Sequence, residues 1–149
     1  MRYILGAVRY AIAVLVGCAL LGAPPAMGQH DDQEEAAQEA ADSWLELFDA
    51  GDAEASWEEA AVLFQAEITE EQWVEQVEEI QASLGAVMDR QPLEAGFTEE
   101  IPDAPEGEYV VVRYQTEYEQ SMTTETMVMA LDEDEWRMAG YYIDPQETP

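Results

Sequence analysis

The amino-acid sequence predicts an α+β domain in which three N-terminal helices pack on a twisted antiparallel sheet. Two observations lead to this fold class. Apolar residues recur at helical spacing between positions 31 and 85, and from position 108 they alternate with polar residues at strand spacing. Because the helical segments come first and the strands follow as one block, the order favours α+β over alternating β-α-β units.

The first helix is predicted over residues 31–49, with Gly51 as a typical stop. A second helix is expected to start near Asp52. A third opens at Thr69 with the capping-box pattern Thr-Glu-Glu-Gln and closes at Gly85. The apolar stripes of the three helices are Ala37, Ala41, Trp44, Leu45 and Phe48, then Trp57, Ala60, Ala61 and Phe64, then Trp73, Val77, Ile80 and Leu84.

Four strands are predicted after Gly85. The first, over 86–97, contains Pro92, which indicates an edge or a break because proline has no N–H to donate. The others span residues 108–119, 123–131 and 136–143, and a polar turn joins the last two into a hairpin. The more apolar strand face is expected to point at the helices, and it carries Val112, Tyr114, Trp136, Met138 and Tyr142.

The first 28 residues have the composition of a secretory signal peptide. Arg2 and Arg9 accompany an apolar run over 10–23, and a small-residue triplet ends at Gly28. Cleavage between Gly28 and Gln29 predicts an exported protein, periplasmic or extracellular. It leaves a loose acidic segment at 29–36, a single domain at 37–144 and a tail at 145–149.

An alternative processing route involves Cys18. The sequence Leu-Val-Gly-Cys that ends at Cys18 resembles a bacterial lipobox, in which the cysteine becomes the lipidated first residue of the mature protein. Several acyl chains on one residue would hold the protein on a membrane surface of the envelope. Membrane association is therefore expected only if Cys18 is lipidated.

The chain is extremely acidic. All 34 Asp and Glu residues follow Gly28, as do three of the five basic residues, so the mature net charge is 3 − 34 = −31. Such a surface is typical of proteins adapted to strong salt, which screens the self-repulsion. A surface for cations or a basic partner is the alternative. Nucleic acid is excluded as a partner, since its phosphates require a basic patch.

Missing residue types exclude several kinds of chemistry. Cys18 is the only cysteine, His30 is the only histidine, and there is no lysine. The mature chain therefore has no catalytic thiol, no well-placed histidine base, no His- or Cys-rich zinc site and no Schiff-base amine. The acidic turn 132–135 lacks the spacing of an EF-hand loop, so neither a metal nor a cofactor is expected.

Sequence blocks along the mature chain resemble the uncharacterised exported bacterial family known as domain of unknown function 4019. The residues that carry the resemblance are Trp44-Leu45-x-Leu47-x-Asp49-x-Gly51, Ser56-Trp57-x-x-Ala60 with Phe64, Ile68-Thr69-x-x-x-Trp73, Leu84-Gly85, Arg90, the run from Tyr109 to Thr116, Glu125-Thr126, and Trp136-Arg137-x-x-Gly140-Tyr141-Tyr142-Ile143. The resemblance implies a cone-shaped fold similar to nuclear transport factor 2-like domains. It implies no catalytic residue, and the sequence predicts none.

Two sets of residues are possible binding sites. A pocket between helices and sheet would be lined by the aromatic residues Trp44, Trp73, Tyr114, Trp136 and Tyr142, although their spacing also suits a plain core. Arg113 and Arg137 stand out among carboxylates as a possible anion site, although cross-strand ion pairs, for example with Glu117 or Glu125, are the simpler explanation for both.

Two functions follow from these sites. A non-catalytic module of the periplasm or cell envelope would bind a small ligand or a protein partner. A small isomerase- or hydrolase-type pocket enzyme is the alternative, and it would need a desolvated carboxylate beside a tyrosine.

Overall fold

The computed structural model describes residues 3–6 and 30–146. The predicted lipidation site Cys18 and the predicted cleavage site Gly28–Gln29 lie outside these residues. The helices are α1 (Asp31–Asp49), α2 (Ala53–Glu58), α3 (Val62–Glu67) and α4 (Glu70–Leu84). The strands are β1 (Tyr3–Gly6), β2 (Val87–Thr98), β3 (Tyr109–Tyr118), β4 (Met122–Asp132) and β5 (Glu135–Pro145).

The sheet is an antiparallel meander of β2, β3, β4 and β5, and β1 pairs with the outer edge of β5. The α+β class predicted from the sequence is confirmed. The main apolar cluster lies between the helices and one face of the sheet. Its largest fully buried side chains include Trp73, Tyr114, Tyr141, Phe48 and Phe64.

Local signals in the sequence explain where the helices begin and end. The carboxylate of Asp52 accepts a hydrogen bond from the backbone N–H of Ala55 at 3.2 Å and so caps α2. The predicted capping box opens α4, since Thr69 and Gln72 each accept a hydrogen bond from the other's backbone N–H. Gly85 ends α4 with a φ of +77°, a conformation that favours glycine.

Helix α1 spans the range that its periodicity predicts, Asp31–Asp49, so residues 31–36 are helical and do not form the loose segment that was expected before the domain. Contacts with β2 accompany the first turn of this helix. The ring of His30 stacks on Phe97 with 4.0 Å between ring centroids. The carboxylate of Glu34 accepts a hydrogen bond from the backbone N–H of Phe97 at 3.0 Å. The first turn of α1 is thereby attached to the sheet.

The single helix predicted after Asp52 is broken into α2 and α3. The backbone N–H of Ala61 donates to the carbonyl of Met138 on β5 at 2.8 Å. Next to it, the N–H of Val62 donates to the carboxylate of Asp132 at 3.1 Å. These long-range bonds satisfy the backbone groups at the break, so α3 reaches the edge of the sheet near Met138.

Tyr142 does not lie on the helix-facing side of the sheet, where it was expected. Val128 pairs with Gly140 and Met129 with Met138, so Ala139 is an extra residue in β5. This β-bulge shifts the side-chain alternation by one residue. As a result Tyr141 points into the main core, whereas Tyr142 joins a second, smaller cluster. The other buried members of that cluster are Ala61, Ile101, Tyr109, Val128, Ala130 and Ala139.

Candidate functional site

An open groove of about 510 Å³ lies between the helices and the β4–β5 end of the sheet. Most of its lining is apolar, and the polar side chains are few. The lining residues are Ala36, Ala40, Ser43, Trp44 and Leu47 of α1, Ala55 of α2, Glu59, Met129 of β4, and Glu135, Trp136, Arg137 and Met138 of β5.

The two tryptophans of the groove differ in how firmly they are held. Trp44 is 3 % exposed, and its indole N–H donates to the backbone carbonyl of Ser56 at 2.7 Å. Its ring packs edge-on against Tyr141, with 5.3 Å between centroids. Trp136 is only half-buried and packs against the margin of the core. The groove therefore has one immobilised aromatic wall and one more exposed one.

Charged groups line the groove beside Trp136. The guanidinium of Arg137 contacts the carboxylate of Glu135 at 2.6 Å and that of Glu59 at 3.8 Å. Both carboxylates are largely exposed, at 66 % for Glu59 and 68 % for Glu135. Arg137 is thus already paired, and the charged groups of the groove are two exposed carboxylates and one arginine.

The other residues that the sequence singled out lie away from the groove. Trp73 is fully buried, and its indole N–H donates to the hydroxyl of Ser56 at 2.8 Å. The hydroxyl of Tyr114 donates to the carboxylate of Asp42 at 2.7 Å. Tyr142 is on the opposite face of the sheet. Arg113 pairs across the strands with Glu94 at 2.9 Å, a partner other than the Glu117 or Glu125 suggested by the sequence.

A buried polar cluster surrounds Glu125, whose side chain is fully buried. One carboxylate oxygen accepts from the hydroxyl of Tyr118 at 3.1 Å and from Nη2 of Arg90 at 3.0 Å. The other accepts from the hydroxyl of Tyr141 and from Nη2 of Arg90 at 3.3 Å. The guanidinium of Arg90 also binds Asp49, the last residue of α1, at 2.5 and 3.1 Å.

Burial and neighbouring charges shift the pKa of several groups in this cluster. Burial raises the pKa of Tyr118 and of Tyr141, and the charge of Glu125 raises both further. Burial also raises the pKa of Asp49 against the opposing effect of Arg90. For Arg90, burial lowers the pKa, but the hydrogen bond with Asp49 and the charge of Glu125 outweigh it. The tyrosines therefore remain protonated donors at neutral pH, and Arg90 remains charged.

The sequence analysis singled out Arg113 and Arg137, whereas the buried arginine is Arg90. One feature of the sequence could have pointed to Arg90. Arg90 is one of three arginines that follow residue 28 in a chain without lysine, and it lies two residues before Pro92 on a strand expected at the edge. Its partners Asp49 and Glu125 are distant in sequence, so no local pattern could link the three residues.

A second depression of about 540 Å³ follows the opposite flank of α1. Acidic side chains dominate it. Its lining residues are Asp31, Glu34, Glu35, Gln38, Glu39, Asp42 and Ala95. Within residues 3–6 and 30–146, no group of three or more His, Cys, Asp and Glu side chains is arranged to hold a metal ion. In the same residues, no helix is long and apolar enough to cross a membrane.

Comparison with known proteins gives one match. The family model described as "Protein of unknown function (DUF4019)" matches residues 40–141. This range contains the residues around Glu125 and all of the groove except Ala36. No curated protein and no solved structure matches the chain. Because the family model covers about two thirds of the sequence and most of the described domain, the chain belongs to the DUF4019 family of proteins of unknown function.

Proposed function

We propose that this protein is an exported, non-catalytic binding module whose groove takes a small, mainly apolar molecule. One observation carries the proposal, namely the open groove of about 510 Å³ beside Trp44 and Trp136. Ligand sites are typically concave and mostly apolar, with volumes of roughly 300–1,000 Å³ and a few polar groups that set orientation. The groove has all four properties.

The charges along the groove narrow the class of ligand. Arg137 is already paired with Glu135, and Glu59 and Glu135 are exposed beside it. An anionic ligand would have to displace Glu135 and approach a chain of strongly negative net charge. A neutral or cationic polar end fits better, because it can donate hydrogen bonds to the exposed carboxylates or compensate their charge.

The fold proposal is a nuclear transport factor 2-like cone. It is supported by the order of elements, with the helices first and a four-stranded antiparallel meander after them. The position of the groove between the helices and one face of the sheet also supports it. Such a fold does not indicate a reaction, because one fold carries many functions.

Export into a salt-rich environment belongs to the same proposal. Its support is the signal-like sequence before Gln29 and the net charge of −31 that remains after it. Mass spectrometry of the protein isolated from an exporting bacterial host tests the export step. A mature chain that begins at Gln29 is expected. An acylated chain that begins at Cys18 would instead place the module on a membrane surface, and retention of Met1 would refute processing.

The alternative of a small enzyme has one specific observation in its favour. Glu125 is a fully buried carboxylate beside two tyrosine hydroxyls, as proton-transfer chemistry would require. Arg90 contacts both of its oxygens, however, and neither Glu125 nor either tyrosine lines the groove. A base that is hydrogen-bonded on both oxygens and has no access to the groove is poorly suited to take a proton from a substrate.

A titration with a neutral apolar dye, Nile red, tests the binding proposal. The wild-type mature chain is expected to bind the dye and to show quenched tryptophan fluorescence. Ala40 lines the groove on α1, so Ala40→Leu should fill it and weaken binding about tenfold or more. Gln38→Leu adds a similar side chain on the other flank of α1 and should leave binding unchanged.

Three outcomes of that titration count against the proposal. If the wild type does not bind the dye, or if both variants bind it equally well, the groove is not a small-ligand site. If a natural ligand extracted with the protein is chemically altered on incubation, the module is catalytic. Thermal melts of both variants show whether a loss of binding reflects the groove or a loss of folding.

A further inference from the structure

We infer that the groove takes a free single-chain amphiphile whose head group is a quaternary ammonium. The inference rests on the proposed binding function of the groove and adds the chemical class of the ligand. Three features of the groove carry it: an apolar lining, the indole ring of Trp136, and the charges of Glu59, Glu135 and Arg137.

The apolar part of the lining fits a hydrocarbon tail. Its small and aliphatic side chains are those of Ala36, Ala40, Leu47, Ala55, Met129 and Met138. None of these side chains donates a hydrogen bond, so the part of the ligand that they contact is expected to be a hydrocarbon. Each buried methylene group raises the affinity about fourfold, and this contribution persists in molar salt because it does not depend on charge.

Trp136 differs from the other three tryptophans of the chain in how it is held. Trp44, Trp57 and Trp73 each donate the indole N–H to a protein oxygen, at 2.7, 3.0 and 2.8 Å respectively. In the part of the chain that the structure describes, the indole N–H of Trp136 has no protein acceptor. Its half-buried ring is held by packing alone, so it can settle against a ligand in the groove.

One guanidinium serves two carboxylates beside Trp136. Arg137 contacts Glu135 at 2.6 Å and Glu59 at 3.8 Å. Among the described residues that line the groove, Arg137 is the only basic one, so these three groups together carry one net negative charge. A cationic head group balances this charge, whereas a carboxylate or phosphate would add to the excess. Charge complementarity therefore selects a cationic head.

The surroundings favour a quaternary over a primary ammonium. A primary ammonium is strongly hydrated and has three N–H donors to satisfy. The groove offers it two carboxylates that are themselves exposed to water, at 66 % for Glu59 and 68 % for Glu135. A quaternary ammonium has no N–H donor, and the face of a tryptophan ring attracts it. Trp136 next to a net negative charge therefore suits the quaternary head better.

Isothermal titration calorimetry of the full-length chain in molar KCl tests the inference. The groove residues lie between positions 36 and 138, so the result does not depend on N-terminal processing. Decyltrimethylammonium and decyldimethylamine oxide have the same tail and similar head volumes, but only the first has a net charge. Below the micelle-forming concentration we expect one decyltrimethylammonium per chain, bound about tenfold more tightly than the amine oxide. Decanoate, the anionic probe, should bind most weakly.

A double variant reverses the charge of the groove. Glu59→Gln with Glu135→Gln leaves Arg137 as the one charged group of the lining, so the net charge changes from negative to positive. Decanoate should then bind at least as tightly as decyltrimethylammonium. Glu78→Gln with Glu79→Gln is the matched control, since it removes two exposed carboxylates of α4 that do not line the groove. This control should keep the preference for the cation.

A Trp136→Leu variant tests the contribution of the aromatic ring. Leucine keeps an apolar side chain at this position but has no aromatic face. The affinity for decyltrimethylammonium should therefore fall more than the affinity for the amine oxide. Thermal melts of all variants separate a loss of binding from a loss of folding.

Several results would overturn the inference. Equal affinities of the wild type for the cation and the amine oxide would leave the groove as a site for neutral apolar ligands, as the Nile red titration reports. A cation preference that falls equally in both double variants would mean that the cation binds to the acidic surface in general. If neither Nile red nor any of the amphiphiles binds, the proposed function itself is wrong.

Phosphatidylcholine vesicles distinguish a membrane head group from a free amphiphile, because their surface carries the same quaternary ammonium. The groove is of the size that encloses one small molecule, so the protein should stay in the supernatant when the vesicles are sedimented. Co-sedimentation that Glu59→Gln with Glu135→Gln abolishes would assign the site to a membrane lipid and would contradict a free ligand.

Discussion

The guanidinium of Arg90 and the carboxylate of Glu125 form a buried ion pair, 3.0 Å between Nη2 and Oε1, that joins strand β2 to strand β4. Glu125 is fully buried, and the side chain of Arg90 is only 14 % exposed. The same guanidinium holds Asp49 at the end of α1. One arginine thereby connects an edge strand, a central strand and a helix terminus.

Replacement of Arg90 by methionine is expected to destabilise the fold by about 3–5 kcal/mol. The substitution keeps most of the side-chain volume but leaves Glu125 buried without a cation, and removal of one partner of a buried pair typically costs this much. Urea unfolding in molar KCl, followed by tryptophan fluorescence, measures the change.

Arg113→Met is the matched control, because the Arg113–Glu94 pair is exposed, at 38 % and 52 %. Exposed ion pairs contribute about 0–1 kcal/mol, so this variant should resemble the wild type. The double variant Arg90→Met with Glu125→Leu should recover part of the lost stability, since it removes the fully buried carboxylate that the single variant leaves without a cation. Equal losses for the two arginine variants would contradict a special role for Arg90.

The sequence predicted the fold well where local signals and tertiary packing agree. The stripe around Trp44, the Thr69 capping box and the stop at Gly85 all indicated helices that the structure contains. It missed the break between α2 and α3, since Ala60 and Ala61 carry no breaking signal and the break depends on Met138, far along the chain.

The candidate site was less predictable for related reasons. The bulge at Ala139 separated Tyr142 from the helix-facing side, and only Gly140 hinted at it. Trp44 and Trp136 line the groove, whereas Trp73 and Tyr114 have the same spacing and lie in the core. Periodicity identifies a buried face, but it cannot show where that face is left uncovered by a neighbouring element.

Stability is expected to fall steeply above about pH 10. The pKa of Tyr114, Tyr118 and Tyr141 is raised above the usual value of 10.0, mainly by burial. Above pH 10 the unfolded chain loses these protons while the folded chain keeps them, so a rise in pH favours unfolding. Each such tyrosine contributes about 1.4 kcal/mol per pH unit. Denaturant midpoints between pH 9 and 11 measure the slope.

A tyrosine-to-phenylalanine variant checks the origin of this slope. Tyr118→Phe removes one titrating hydroxyl. The loss of unfolding free energy per pH unit above pH 10 should therefore be smaller by about 1.4 kcal/mol than in the wild type. Some stability is also expected to be lost at neutral pH, because Glu125 loses one donor. If the slope is unchanged, the pKa of Tyr118 does not differ between the folded and the unfolded chain.

Ser56→Ala is expected to destabilise the fold by about 1–3 kcal/mol. The hydroxyl of Ser56 accepts the hydrogen bond of the buried Trp73 indole, and its loss leaves that N–H unsatisfied. Ser43→Ala is the control, because Ser43 is exposed and bonds only within α1, so the change should stay within about 0.5 kcal/mol. Thermal melts compare the two, and equal melting temperatures would count against the Ser56 contact.

The folded domain should be more stable in molar KCl than at low salt. With 34 acidic residues against three arginines after Gly28, folding brings many like charges close together. At about 1 M salt the Debye length is roughly 3 Å, so most repulsion between exposed carboxylates is screened. The buried Arg90–Glu125 pair is far less accessible to ions and should stay intact. Melting temperatures in KCl and NaCl at equal ionic strength should rise together. A melting temperature independent of salt, or a rise in only one of the two salts, would exclude screening as the cause.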